Sequence, residues 1–354
     1  MKKERLEETK MKKKNLLSAV LTVVLALAMC LSLAACGSSA APAATEAPAA
    51  DAAPAEDTAA DSDKVFTVGI CQLVQHEALD AATQGFMDTL KDKFGDKVVF
   101  DVQNAAGDSA ACSTIVNSFV SKNVDLILAN ATPALAAAYN ATSEIPILGT
   151  AVTEYGVALG IEDFTGTVGG NVSGTSDLAP LDEQADMIVE LFPDAKNVGL
   201  LYCSAEPNSE YQVKVVEEVL SAKGVACTRY SFADTNDVAS VTTKAAADSD
   251  VIYIPTDNTA ASCTETIGNI VLSAKTPVIA GEVGICRGCG VATLSISYYN
   301  LGVTTGEMAV KILTGEADIS TMPIEYDNNP VRMYNPTVCE ELGIPAPEGY
   351  EPLS

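Results

Sequence analysis

The 354-residue chain has no tryptophan, a single histidine and only 5% aromatic residues. The one histidine, His76, has no partner motif beside it. There is no G-x-S-x-G elbow, no H-E-x-x-H pair and no G-x-x-x-x-G-K-[ST] phosphate loop. The signatures of serine hydrolases, zinc proteases and nucleotide hydrolases are therefore missing, and no catalytic residue is assigned. Basic residues are scarce too, 21 Lys and Arg against 47 Asp and Glu, giving a formal charge of −26. A surface of that sign repels phosphate backbones, which argues against a nucleic-acid partner. Adjacent carboxylates such as Glu162-Asp163 fall in a surface-loop pattern and read as solvated.

Cysteine is present, ten residues in all, but its spacing carries little chemistry. Cys71 and Cys203 end apolar runs, while Cys112, Cys227 and Cys263 sit in core-like patterns, so these read as small buried hydrophobes. Only Cys286-Arg287-Gly288-Cys289 has the spacing of a metal or redox motif. It lacks the second pair that a zinc site needs, and Arg287-Gly288 reads as leading into a strand rather than opening a helix. No metal and no cofactor is expected.

The chain opens with an export pattern. Lys12, Lys13 and Lys14 precede an apolar run from Leu16 through Leu33, a charged segment followed by a hydrophobic one. A transmembrane helix would begin similarly, but this run ends in Leu33-Ala34-Ala35-Cys36. That string resembles the bacterial lipobox, which implies cleavage of residues 1–35 as a signal peptide and acylation of Cys36. Met11 serves as well as Met1 for a start. Residues 1–35 hold seven basic and three acidic side chains, so the mature chain carries about −30. Residues 36–63 follow, and from Ser38 to Asp63 they are almost entirely Ala, Pro, Ser, Thr, Asp and Glu. With no large apolar side chain to bury, this stretch is expected to be a disordered tether.

The remainder repeats itself. Val68-Gly69-Ile70-Cys71 leads through a polar loop into a helical pattern from Glu77 to Phe94. Val198-Gly199-Leu200-Leu201 does the same into residues 208–223, 130 residues later. Asp125-Leu126-Ile127-Leu128 recurs as Asp250-Val251-Ile252-Tyr253, and Ile145-Pro146-Ile147-Leu148 as Thr276-Pro277-Val278-Ile279. Short continuous apolar strands alternating with amphipathic helices describe a buried parallel sheet. The expected fold class is α/β, with two doubly wound parallel-sheet lobes joined by a hinge. Residues 64–178 form the first lobe and 179–295 the second; residues 296–354 return across the lobes as a strand and short helix.

In such sheets ligands sit beyond the carboxyl ends of the strands, so two facing lobes enclose a cleft. The strand ends carry Gln72 and His76, Asn130 and Thr132, Thr150 and Thr153 in the first lobe. In the second they carry Asn208 and Ser209, Thr256, Asp257 and Asn258, and Glu282. Thr132 before Pro133, and Asp257 or Asn258 before a helix, read equally as helix caps. As a set these groups suit a zwitterion. Helix N-termini and hydroxyls receive a carboxylate, and Asp257 or Glu282 an ammonium, while Tyr155, Tyr298 and Tyr299 offer flat apolar walls.

Several strings in combination resemble one family. They are Val68-Gly69-Ile70 through His76 to Ala78-Leu79-Asp80-Ala81-Ala82, Thr132-Pro133-Ala134, Thr150-Ala151-Val152-Thr153, and Gly170-Asn171-Val172-Ser173-Gly174. Further on come Pro255-Thr256-Asp257-Asn258-Thr259 and Tyr298-Tyr299 through Leu301-Gly302 to Thr305-Gly306-Glu307-Met308-Ala309. Residues 64 to about 325 resemble the substrate-binding lipoproteins of ABC importers with the type I periplasmic-binding fold, in the branch that includes tryptophan- and tyrosine-binding components. The resemblance implies a small-molecule ligand, an aromatic amino acid before others, captured between the lobes. It also implies an ABC permease with a separate ATPase as partner, and a lipid anchor on the outer face of the cytoplasmic membrane. Gln75-His76-Glu77 departs from the Glu-His-Pro common in relatives, and the stretch around Cys286 is unusual. A non-amino-acid solute, or a ligand-sensing ectodomain serving a membrane receptor, stands as the alternative.

Overall fold

The computed structural model describes residues 64–327 and 329–353; the signal-like segment, Cys36 and the tether lie outside them. The first half runs β1 (Phe66–Gln72), α1 (Glu77–Phe94), β2 (Val98–Asn104), α2 (Ser109–Lys122), β3 (Leu126–Asn130), α3 (Thr132–Ala141), β4 (Ile147–Val152), α4 (Tyr155–Leu159) and β5 (Val172–Ser176). The second half begins with α5 (Leu181–Leu191), then β6 (Asn197–Cys203), α6 (Pro207–Ala222), β7 (Ala226–Phe232), α7 (Val238–Asp248) and β8 (Val251–Ile254). It continues through α8 (Asn258–Ser262), α9 (Thr264–Ala274), β9 (Val278–Ala280), α10 (Val283–Cys289) and β10 (Ala292–Ser295). The chain then closes with α11 (Tyr298–Leu313), β11 (Glu325–Tyr326), β12 (Val331–Tyr334), α12 (Pro336–Leu342) and β13 (Glu351–Pro352).

Strand order is β2-β1-β3-β4-β5 in the first sheet and β7-β6-β8-β9-β10 in the second, every pair parallel. The repeat seen in the sequence is thus a repeat of topology. Because side chains alternate along a strand, each sheet feeds one core on either face. Val68 and Ile70 of β1 join Leu126, Leu128 and Leu148 on one face, while Cys71, Ile127, Ala129 and Ile147 pack on the other. In the second sheet Leu200 and Tyr253 share one core, and Leu201 and Ile252 the other.

The chain passes between the sheets three times, at residues 177–180, at residues 296–297 and between β11 and β12. After the second crossing α11 packs along α1, and β11 extends the first sheet beside β5. The third crossing returns β12, antiparallel to β10, and β13 to the second sheet. Glycine makes the α1–α11 contact possible: a Cβ at Gly302 would fall on the Ala82 carbonyl, and one at Gly85 on the Tyr299 carbonyl. The two backbones touch with no side chain between them, which fixes α11 to the first lobe.

Candidate functional site

The strand ends of both sheets meet in one cleft. On the first lobe, Gln72 at the end of β1 is fully engaged: its amide donates to the Val74 carbonyl (2.9 Å) and Asp80 Oδ1 (2.7 Å), and its oxygen accepts from Thr83 (2.7 Å). Buried Asn130, at the end of β3, donates to the Leu79 carbonyl and Thr83 Oγ1, but its Oδ1 has no partner among the described residues. Thr132 is buried as the first residue of α3 rather than its cap; that place belongs to Ala131, held at φ 89°. Thr150 joins Thr175 and Thr305 in a buried hydroxyl cluster, with separations of 2.8 to 3.3 Å. Ala151, between Thr150 and Val152, also has a left-handed φ of 51°. The backbone is therefore strained where two strands end at the cleft.

On the second lobe, helix starts fix the polar groups. Asp257 caps α8, Oδ1 accepting from the Ala260 amide (2.8 Å) and Oδ2 from the Cys203 amide (2.6 Å). Glu282 caps α10, accepting from the Gly284 and Ile285 amides. Buried Asn208 donates to the Thr256 carbonyl (3.1 Å), leaving its Oδ1 unpartnered, and buried Ser209 bonds Asp257. Thr256 donates its hydroxyl to the Gly281 carbonyl (3.3 Å). Asn258 opens α8 instead of capping it, and its Oδ1 lies 3.2 Å from His76 Nε2, a contact between lobes. A second interlobe contact pairs exposed Arg287 with Glu77 at 2.9 Å.

Sequence reasoning missed two carboxylates. Buried Glu206 precedes α6 and receives four donors from the α8 start: the Asn258 amide and side chain, and the Thr259 amide and hydroxyl, at 2.6 to 3.0 Å. The acid just before Pro207 was its signal, since proline favours the first helical position. Asp177 follows β5, a strand end like the others, on the first crossing between lobes. The Tyr298 hydroxyl donates to its Oδ2 (3.0 Å) and Thr153 also bonds it, while Oδ1 has no partner among the described residues.

Asp177, Asp257, Glu282, His76 and Tyr298 line one small, partly open space of ≈ 10 Å³, whose lining contains no Lys or Arg. Burial pushes Asp257 and Glu282 up to about 7 and Asp177 up to about 6. Burial also holds His76 below its usual range. Charge is thus disfavoured on every titratable group here, as desolvation requires where no opposite charge faces it. A larger cleft of ≈ 220 Å³ adjoins, between Leu73 and Ala106 on one lobe and Ala205 and Ala233 on the other.

Two of the expected walls lie elsewhere. Tyr155 is 1% exposed in the first-lobe core, its hydroxyl on the Thr175 carbonyl, and Tyr299 is 43% exposed, its hydroxyl on Asp88. Adjacent positions on a helix are about 100° apart, and of this pair Tyr298 is the one that lines the space with Asp177, Asp257 and Glu282. The Cys286/Cys289 pair lies in the last turns of helix α10, and strand β10 follows from Ala292. Both are buried, and burial pushes the Cys289 thiol up to about 12 and raises Cys286 well above its usual value. Among the described residues no group of His, Cys, Asp and Glu is placed to hold a metal, and no helix is long and apolar enough to cross a membrane.

Comparison with known proteins agrees with this architecture. A family model described as ABC transporter substrate binding protein matches residues 67–350. The tyrosine-binding protein of Clostridioides difficile (strain R20291) is 36% identical over 267 residues, 75% of this chain and 77% of that one. The crystal structure of an ABC domain in complex with L-Trp from Streptococcus pneumonia has a TM-score of 0.78 at 30% identity, covering 82% of this chain and 100% of that one. The ligand-free, open structure of a substrate binding protein from Clostridium difficile covers 82% and 99%. It is more alike in sequence, at 37% identity, but less alike in shape, with a TM-score of 0.63. In overall shape the chain is thus more similar to the L-Trp complex than to the ligand-free structure. The chain belongs to the ABC transporter substrate-binding proteins.

Proposed function

We propose that this chain binds an aromatic amino acid outside the cytoplasm and delivers it to an ABC permease driven by a separate ATPase. The observation that carries this reading is the imbalance of the cleft. Three buried carboxylates line a space without Lys or Arg, its one histidine, His76, is held below the usual range by burial, and among the described residues the Asp177 Oδ1 lacks a donor. An ammonium group brings positive charge and three N–H donors, which is what such a site is short of. The Thr132 side chain and the Thr132 and Ala134 amides at the start of α3, which has no side-chain cap and whose Pro133 has no N–H, suit the ligand's carboxylate. Tyr298 supplies an aromatic face. The relatives named for tyrosine and solved with L-Trp support the aromatic class.

The lobes must part to admit such a ligand, because ≈ 10 Å³ holds about one water. Binding rather than turnover fits the residues: His76 has no nucleophile paired with it, and the Cys286 and Cys289 thiols are held protonated by burial. Acylation at Cys36 would tether the domain to the outer face of the membrane.

A thermal-shift screen of the protein against amino acids, sugars and nucleosides tests the reading. A ligand at a hundred times its Kd adds about 2.7 kcal/mol, which is several degrees in Tm. Tyrosine, tryptophan or phenylalanine is expected to give that shift and sugars none. No shift with any amino acid would overturn the proposal.

A further inference from the structure

We propose that Asp177, on the first crossing between the lobes, is the residue that holds the ligand's ammonium group. The assignment rests on the amino-acid reading above and goes beyond it, because three carboxylates compete for the role and the structure distinguishes them. Asp257 has one backbone amide on each oxygen, from Ala260 and Cys203. Glu282 likewise takes the Gly284 and Ile285 amides, one per oxygen. An ammonium reaching either would have to share oxygens that already accept the amides at the starts of α8 and α10. Asp177 is different. Only 3% of it is exposed, Tyr298 donates to its Oδ2 and Thr153 also bonds the carboxylate, the residue lines the small space between the lobes, and its Oδ1 has no donor among the described residues. A buried charged acceptor left without a donor is costly, and a cationic N–H group is the partner that removes that cost.

Position adds a consequence. Asp177 sits on the first crossing, and its partner Tyr298 opens α11 directly after the second. The ammonium therefore docks at the strands that join the lobes, a place that loop motion at the rim leaves intact. Asn258 and Thr256 from the second lobe close over a ligand already anchored. Ligands without the amine lose this anchor, so Asp177 sets the preference for amino acids over their desamino analogues.

Calorimetry with tyrosine and with 3-(4-hydroxyphenyl)propanoate, on the wild type and on Asp177→Asn, tests the assignment. The wild type is expected to prefer tyrosine strongly. Asp177→Asn should lose about a hundred-fold or more in tyrosine affinity while retaining the desamino acid, whose binding also shows that the variant is folded. Tyrosine affinity within about three-fold of wild type in the variant would overturn the assignment. Wild-type protein that binds no amino acid would instead overturn the functional reading, and this assignment with it. If the variant does not fold, a crystal structure of the wild-type tyrosine complex decides the matter. The ammonium nitrogen within hydrogen-bonding distance of Asp177 Oδ1 upholds the assignment, and its placement on Asp257 or Glu282 refutes it.

Discussion

Raising the pH of the ligand-free protein from 5 to 8 is expected to destabilise it, with Glu282 a main cause. Its carboxyl ordinarily titrates at 4.5 and is pushed up to about 7, chiefly by burial. The folded form therefore keeps a proton that the unfolded chain has released. The stabilisation is complete below the unfolded value and is lost as pH rises through the folded one. For a gap from 4.5 to about 7, the loss between pH 5 and 8 is about 2.5 kcal/mol from this residue. A domain of about 290 residues unfolds with an entropy near 0.6 kcal/mol per kelvin, so Tm should fall by about 4 °C. Asp257, raised to about 7, acts in the same direction. His76 opposes both: its pKa is lowered, so its contribution grows as pH rises through the ordinary histidine range. Comparison with Glu282→Gln isolates one group, since glutamine cannot titrate yet still offers an oxygen to cap α10. Calorimetric melts at matched ionic strength should show a profile flatter by about 4 °C in the variant. Parallel profiles in the two proteins would refute the reasoning.

Two further outcomes follow from the backbone. Gly302→Ala should destabilise the fold by about 1–3 kcal/mol, read as a lower urea midpoint, because the new Cβ meets the Ala82 carbonyl in the α1–α11 contact. Ala131→Gly should raise the urea midpoint by about 1 kcal/mol of stability. Relief of the strained φ of 89° outweighs the added freedom of glycine in the unfolded chain, and a lower midpoint would show that Ala131 is not strained.

Much of the architecture was legible in the residues. Apolar runs such as Leu126–Ala129 and Val251–Ile254 are fully buried strands, and the first helix spans Glu77 to Phe94 as its pattern implies. The sequence repeat reappears as one strand order used twice. These features are local: hydrophobic period and capping chemistry act within a few residues, so the chain order carries them. The fate of the last sixty residues was less legible, because β11 and β12 join different sheets on the strength of pairing partners far away in sequence.

By itself, then, the sequence determined the α/β class, the doubled lobe and the edge of the sheets where polar groups gather. Only the tertiary structure decided which of those groups is free to act. Asp257 is occupied because the Cys203 amide, 54 residues away, reaches its Oδ2, and Glu206 is occupied by the start of α8. Asp177 keeps an open oxygen because Tyr298 donates to its Oδ2 and no donor among the described residues reaches its Oδ1. Whether a buried carboxylate is a cap or an anchor depends on the donors that distant segments bring within about 3 Å, a distance that no local pattern encodes.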